Sequence, residues 1–148
     1  MFEGVVVAVL VNSSVFSGGC MDAGKPDELL EAVMNRQASR VAELLVRQPD
    51  LDARNKQLDT PLTLATVSDQ FVIAEMLIDA GADVFAHNKF GWTAGFAAQT
   101  SRLDPGTEEG DARQRVIAKL RSKGFPWPAP DPDAVKQLVS ADAWPPPP

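Results

Sequence analysis

Catalysis and metal binding need side chains that transfer protons, attack electrophiles or donate ligands, and this chain is short of them. Its 148 residues include one histidine, His87, one cysteine, Cys20, and no tyrosine. A Ser-His-Asp or Cys-His arrangement needs an imidazole set between a nucleophile and an orienting acid. With no second histidine and no cysteine beyond Cys20, none can be assembled convincingly. A lone cysteine also excludes an internal disulfide and a cysteine-based zinc site. Carboxylates are plentiful but scattered, at Asp50, Asp52, Asp59, Asp83 and Asp111. A calcium loop places acidic ligands at alternating positions and closes on a glutamate, and Asp131-Pro132-Asp133 does not continue that way. Gly106 and Gly110 are isolated turn residues, not a phosphate-cradling loop. The expectation is no catalytic residue, no metal and no cofactor.

Binding chemistry is better represented. Phe85, Phe90 and Trp92 fall close together, and Phe96 follows. Aromatic side chains inside a polar rim are what interface anchors look like. Part of this group must be core, so packing and partner binding both stand as readings of it. The net charge of −6 and a pI near 4.7 argue against nucleic acid, because phosphate binding needs several Lys or Arg facing the backbone. Arg113, Arg115, Lys119, Arg121 and Lys123 lie at helical spacing among apolar positions and read as a solvated helix face.

The elements that must position these residues show through a repeat. Thr60-Pro61-Leu62-Thr63-Leu64-Ala65 is a helix start, with Thr60 as N-cap and Pro61 at the first helical position, where its missing N–H costs nothing. At an offset of about 33 residues, Thr93 and Ala98 stand in register with Thr60 and Ala65, and Asp27, Leu29 and Ala32 precede them in the same register. Asn55-Lys56 matches Asn88-Lys89, Asp50-Leu51-Asp52-Ala53 matches Asp83-Val84-Phe85-Ala86, and Leu44-Leu45 matches Leu77-Ile78. A sustained period of this length marks stacked repeats.

These motifs resemble the ankyrin repeat, with Thr60-Pro61-Leu62-Thr63-Leu64-Ala65 as its helix start and Gly81-Ala82-Asp83-Val84 leading into its hairpin. The resemblance is to a short, bacterial-type member of about three repeats. It implies an all-α fold: a short ankyrin-type helical solenoid of helix-turn-helix repeats with β-hairpin fingers, plus a C-terminal capping helix. The repeats occupy residues 27–124, divided as 27–54, 55–87 and 88–124, with an insertion near 102–111 rich in Pro, Gly and acidic residues that reads as a loop. The helix after it is expected from Asp111 to Lys123. A cap follows over 125–144, with Asp131 and Pro132 opening a helix whose Val135, Leu138 and Val139 face back onto the third repeat. Pro145–Pro148 form a proline tail, either frayed or readable by a proline-binding domain.

Several positions depart from the family pattern. Leu58 stands where the finger turn usually has Gly, so either the turn differs or an apolar side chain is presented at its tip. Thr63 replaces a histidine that bridges neighbouring loops, and a hydroxyl supplies only part of that bridging. In the third repeat Pro becomes Ala94 and Leu becomes Gly95.

Residues 1–26 stand apart. Val5–Val11 is a continuous apolar run, too short to span a bilayer and of signal-peptide length, with small residues before Cys20. Glu3 and the lack of a Lys or Arg ahead of the apolar run count against export, as does Ser17 three residues before Cys20, where a lipoprotein processing site usually has an aliphatic residue. The segment reads as a packed tail, as residues upstream of a start at Met21, or as an export or lipid-anchoring signal acting through Cys20. The corresponding locations are cytoplasmic, or periplasmic and envelope-bound.

The function that the resemblance implies is non-enzymatic: a monomeric protein–protein interaction module that binds a partner protein through its fingers and concave face. The expected contact residues are Gln57, Leu58, Asp59, Thr66, Phe90, Trp92 and Gln99. The alternative is an exported or lipid-anchored accessory protein of the cell envelope; an enzyme is the remaining one. Neither nucleic acid nor a transmembrane segment enters this reading.

Overall fold

A computed structural model describes residues 27–147, so the apolar N-terminal segment and Cys20 lie outside the described residues. Among the described residues seven helices follow one another: α1 (Glu28–Met34), α2 (Ala38–Val46), α3 (Pro61–Val67), α4 (Phe71–Asp79), α5 (Ala94–Thr100), α6 (Glu108–Ser122) and α7 (Pro132–Ser140). They pair as α1 with α2, α3 with α4 and α5 with α6. The short first helices then stack on one another in one layer and the second helices in another. The result is a helical solenoid. No described helix is long and apolar enough to cross a membrane.

The helix starts follow from residues that supply acceptors to free N–H groups. Asp27 Oδ1 accepts from the N–H groups of Leu29 and Leu30 at 2.9 and 3.2 Å. Thr60 and Thr63 form a reciprocal capping box, each hydroxyl accepting from the other's backbone N–H. Thr93 and Asp131 cap α5 and α7 by one bond each, accepting from the N–H groups of Phe96 and Ala134. Between the layers one apolar core runs along the stack, from Leu29, Val33, Val41 and Leu44 through Leu62, Phe71, Leu77 and Ile78 to Val116, Leu120 and Phe125. Burying each of the larger side chains is worth about 1.5–3 kcal/mol, so neighbouring repeats support one another's folding.

The third repeat differs from expectation at its insertion. The second helix starts at Glu108, not Asp111, because Thr107 caps it by accepting from the Gly110 N–H at 3.0 Å. Part of the acidic insertion is thus an added helical turn, and α6 has 15 residues against nine in α2 and in α4. That turn has a structural use. The N-cap of α4, Gln70, makes no capping bond with its side chain; instead Glu109 Oε2 reaches across and accepts from the Val72 N–H at 2.9 Å. Glu109→Ala is expected to lower stability by about 1–2 kcal/mol, the scale of a lost helix cap, measured by urea denaturation. No loss would show that water replaces the carboxylate.

Of the basic residues expected on a solvated face of α6, Arg113 is instead half-buried and donates to the Ala98 carbonyl of α5 at 2.6 Å, while Arg115 pairs with Glu75 at 2.9 Å and Lys119 with Asp79 at 2.6 Å on α4. These pairs lie at the surface, with Glu75 the one partly buried member, and contribute little. The hydrogen bond to Asp79 raises the Lys119 pKa above its ordinary 10.5. The pair therefore favours the folded state at neutral pH, and that contribution is lost as pH rises beyond the raised value.

The C-terminal cap covers the end of the stack with aromatic rings. Phe125 lies flat against Phe85, centroids 5.7 Å apart. Trp144 meets both edge-on and donates its indole N–H to the Phe85 carbonyl at 2.8 Å. Phe85 is therefore a partly buried packing residue against the core, not a surface anchor. On α7 only Val135 is fully buried; Leu138 is half-buried, and Val139, expected to face inward, is 39% exposed.

Candidate functional site

The two fingers are built alike, from asparagines one repeat apart. Asn55 Oδ1 accepts from the Gln57 and Asp59 N–H groups at 2.8 and 2.9 Å. Asn88 Oδ1 accepts from those of Phe90 and Trp92, both at 3.0 Å. Each side chain thereby folds its own turn, the usual role of Asn in such a loop. Backbone pairs Asn55–Asp59 and Asn88–Trp92 close the turns. Strand character is slight: the described residues contain one isolated antiparallel bridge, His87 with Thr93.

The position after the tip needs positive φ. Gly91 supplies it at +86°, and Leu58 adopts it too, at +62°. The turn thus does not differ at Leu58. The leucine accepts a left-handed conformation that costs it about 1–2 kcal/mol, and it remains 47% exposed. Phe90, on the next finger, is 53% exposed, with Lys89 Nζ 5.1 Å from its ring centroid. Trp92 is half-buried edge-on against Phe96, centroids 4.9 Å apart.

The fingers are tied into one rigid surface by groups other than Thr63, whose hydroxyl bonds within its own helix start. Asp59 is 7% exposed. One of its carboxylate oxygens accepts from Asn88 Nδ2 at 2.9 Å and the other from Asn55 Nδ2 at 3.1 Å. Arg54 donates to the carbonyls of Leu58 and His87, at 2.9 and 2.8 Å. The Lys89 N–H donates to the Gln57 carbonyl at 3.0 Å.

Three expected contact residues therefore have other roles. Asp59 is buried because both its oxygens bind the finger asparagines. Thr66 is 1% exposed, its hydroxyl donating to the Leu62 and Thr63 carbonyls of the preceding turn. Gln99 is half-buried and accepts from the Ala129 N–H at 2.8 Å, holding the cap against α5. Of the other four, Gln57, Leu58 and Phe90 are exposed and Trp92 is half-buried. Below them on the inner side runs a shallow groove of about 300 Å³, lined by Val67, Asp69, Trp92, Thr100 and Arg102 among others. Exposed Val67 and Met34 are surface residues that sequence reasoning misses. The signal that could find them is the repeat register, since both end a first helix. Lys56 and Lys89, exposed beside the finger tips, are missed too.

His87 is half-buried with Nδ1 3.0 Å from the Asn88 carbonyl. Among the described residues no cluster of three His, Cys, Asp or Glu is arranged to hold a metal ion.

Comparison with known proteins agrees with this architecture. The ankyrin repeat family model matches residues 57–89. The crystal structure of an ankyrin repeat protein superposes with a TM-score of 0.54 at 25% identity, over 66% of this chain and 45% of that one. The chain thus spans less than half the length of that relative. No curated protein matches. In all, 181 solved chains match, and a fold so widely shared does not by itself select a function.

Proposed function

The chain is an ankyrin repeat protein, and we propose that it binds a partner protein through its two finger tips and the groove beneath them. Ankyrin repeats are in general protein–protein interaction modules. In this reading Leu58 and Phe90 are the anchors, Gln57 and Trp92 flank them, and the groove along Val67, Thr100 and Arg102 takes the rest of the partner. The chain acts as a non-enzymatic, monomeric scaffold in the cytoplasm.

The observation that carries the proposal is Leu58. A leucine held at +62°, where glycine would be at ease, and left 47% exposed gives the fold a cost with little burial in return. Strain retained at an exposed position supports a functional role. Leu58→Gly is accordingly expected to raise stability by about 0.5–1 kcal/mol while weakening partner capture about tenfold, as loss of an interface anchor does. Phe90→Ala should weaken capture as much with stability unchanged. Thermal melts and quantitative capture from cell extract measure the two effects. Full partner retention by both variants would remove the fingers as the site.

A further inference from the structure

We infer that the segment recognised at the finger tips is an acidic peptide carrying large apolar residues. This rests on the fingers being the binding surface. The chain carries a net charge of −6, yet its two tips are basic. Across residues 54–58 and 87–92 the charged side chains are Arg54, Lys56 and Lys89, and no carboxylate occurs. The adjoining Asp59 is buried with both oxygens occupied by asparagine amides.

Lys56 and Lys89 stand one repeat apart, so the stack sets them at equivalent places on successive tips, each exposed and within two residues of an exposed apolar anchor. Neither forms an ion pair among the described residues. The carboxylates nearby are already engaged or belong to neighbouring helix starts: Asp27 and Glu31 line the cleft of α1 that Lys56 also lines, Asp27 capping α1, and at the start of α7, which lies against Gly91, Asp131 caps the helix and Asp133 is paired with Lys136 at 2.7 Å. Two cations on successive tips, with exposed Leu58 and Phe90 close by in the chain, match a peptide that carries both carboxylates and large apolar side chains. The remaining, acidic surface repels the same peptide, so charge directs it to the tips. A nucleic acid fits less well, since two exposed lysines give few phosphate contacts and the apolar anchors would go unused.

The test uses the full chain and four labelled probes read by fluorescence anisotropy. Three are peptides with identical Leu and Phe positions, separated by Glu, by Gln or by Lys; the fourth is a short single-stranded oligonucleotide. The Glu peptide is expected to bind about tenfold tighter than the Gln peptide and the Lys peptide not measurably. Raising salt from about 0.05 M to about 0.5 M should remove most of that advantage, since screening shortens with ionic strength. Substituting both Lys56→Gln and Lys89→Gln, exposed positions that leave the fold intact, should abolish the Glu preference while leaving Gln-peptide binding in place. Equal affinity for the Glu and Gln peptides, both sensitive to Phe90→Ala, would overturn the acidic preference and leave the finger surface standing. Binding that ignores Leu58 and Phe90 altogether, or an oligonucleotide that binds as well as the Glu peptide, would overturn the inference; the first of these would remove the finger reading with it.

Discussion

Replacing Gly95 with leucine, the residue the preceding repeat carries in that register, is expected to destabilise the chain by about 3 kcal/mol, the scale of overpacking a filled core. Repeat-consensus logic predicts the reverse, because Leu62 is fully buried at the corresponding place. The difference lies in the cap. A β-carbon at position 95 would overlap the Phe125 ring, which occupies the volume a leucine would take. That ring is 3% exposed and packed against Phe85 and Trp144. The cap thus completes the third repeat's core from 30 residues downstream in the chain.

A double-mutant cycle tests this. Phe125→Ala alone should cost about 3–5 kcal/mol. Combined with Gly95→Leu, the total should fall short of the sum by about 1–3 kcal/mol, since the leucine then enters the vacated space. Denaturant midpoints followed by circular dichroism give each value. Simple additivity would show that the two side chains do not compete for one volume.

Asp59→Ala is the second large effect, expected at about 3 kcal/mol, since each unsatisfied buried donor costs about 1–3 kcal/mol. Its carboxylate is the shared acceptor for asparagine amides on two successive fingers, at 3.1 and 2.9 Å. Removing it leaves both amides without that acceptor. Asp59→Asn should recover only part of the loss, because it turns one acceptor into a donor facing a donor. The damage should also be local. Hydrogen exchange ought to accelerate at the amides of Gln57, Asp59, Phe90 and Trp92, which depend on the two asparagines. Exchange unchanged at these four amides would show that the fingers hold their shape without the shared carboxylate.

Features that depend on local chemistry are legible in the amino-acid sequence. The Thr60-Pro61 and Asp131-Pro132 helix starts are of this kind, because a cap and an N1 proline act within a few residues of themselves. So is the register of the stack, which apolar spacing carries from repeat to repeat. The features that are not legible depend on how polar groups find partners and on neighbours distant in the chain. Thr66 faces the interior although a hydroxyl suggests an open helix face, since a backbone carbonyl of its own helix satisfies it. Glu109 has the composition of a polar loop around it, and its use is visible only once α4 lies beside it. Trp144 reads as the lead into a proline tail, yet its indole closes on Phe85, 59 residues away. Leu58 is the instructive case. Its side chain type points to an altered turn, but the backbone keeps the ordinary one and carries the leucine at its tip.

The aromatic packing of the cap has an optical consequence. The chain has no tyrosine, so emission excited at the red edge of the indole band, where phenylalanine does not absorb, comes from tryptophan, and Trp92, Trp127 and Trp144 all belong to the second finger or the cap. The first repeat and the first finger contain none and are silent in fluorescence. Circular dichroism, by contrast, weighs helices from both ends of the stack. The two signals are therefore views of different ends of one molecule, and any separation of their transitions measures how far cooperativity travels from cap to first repeat.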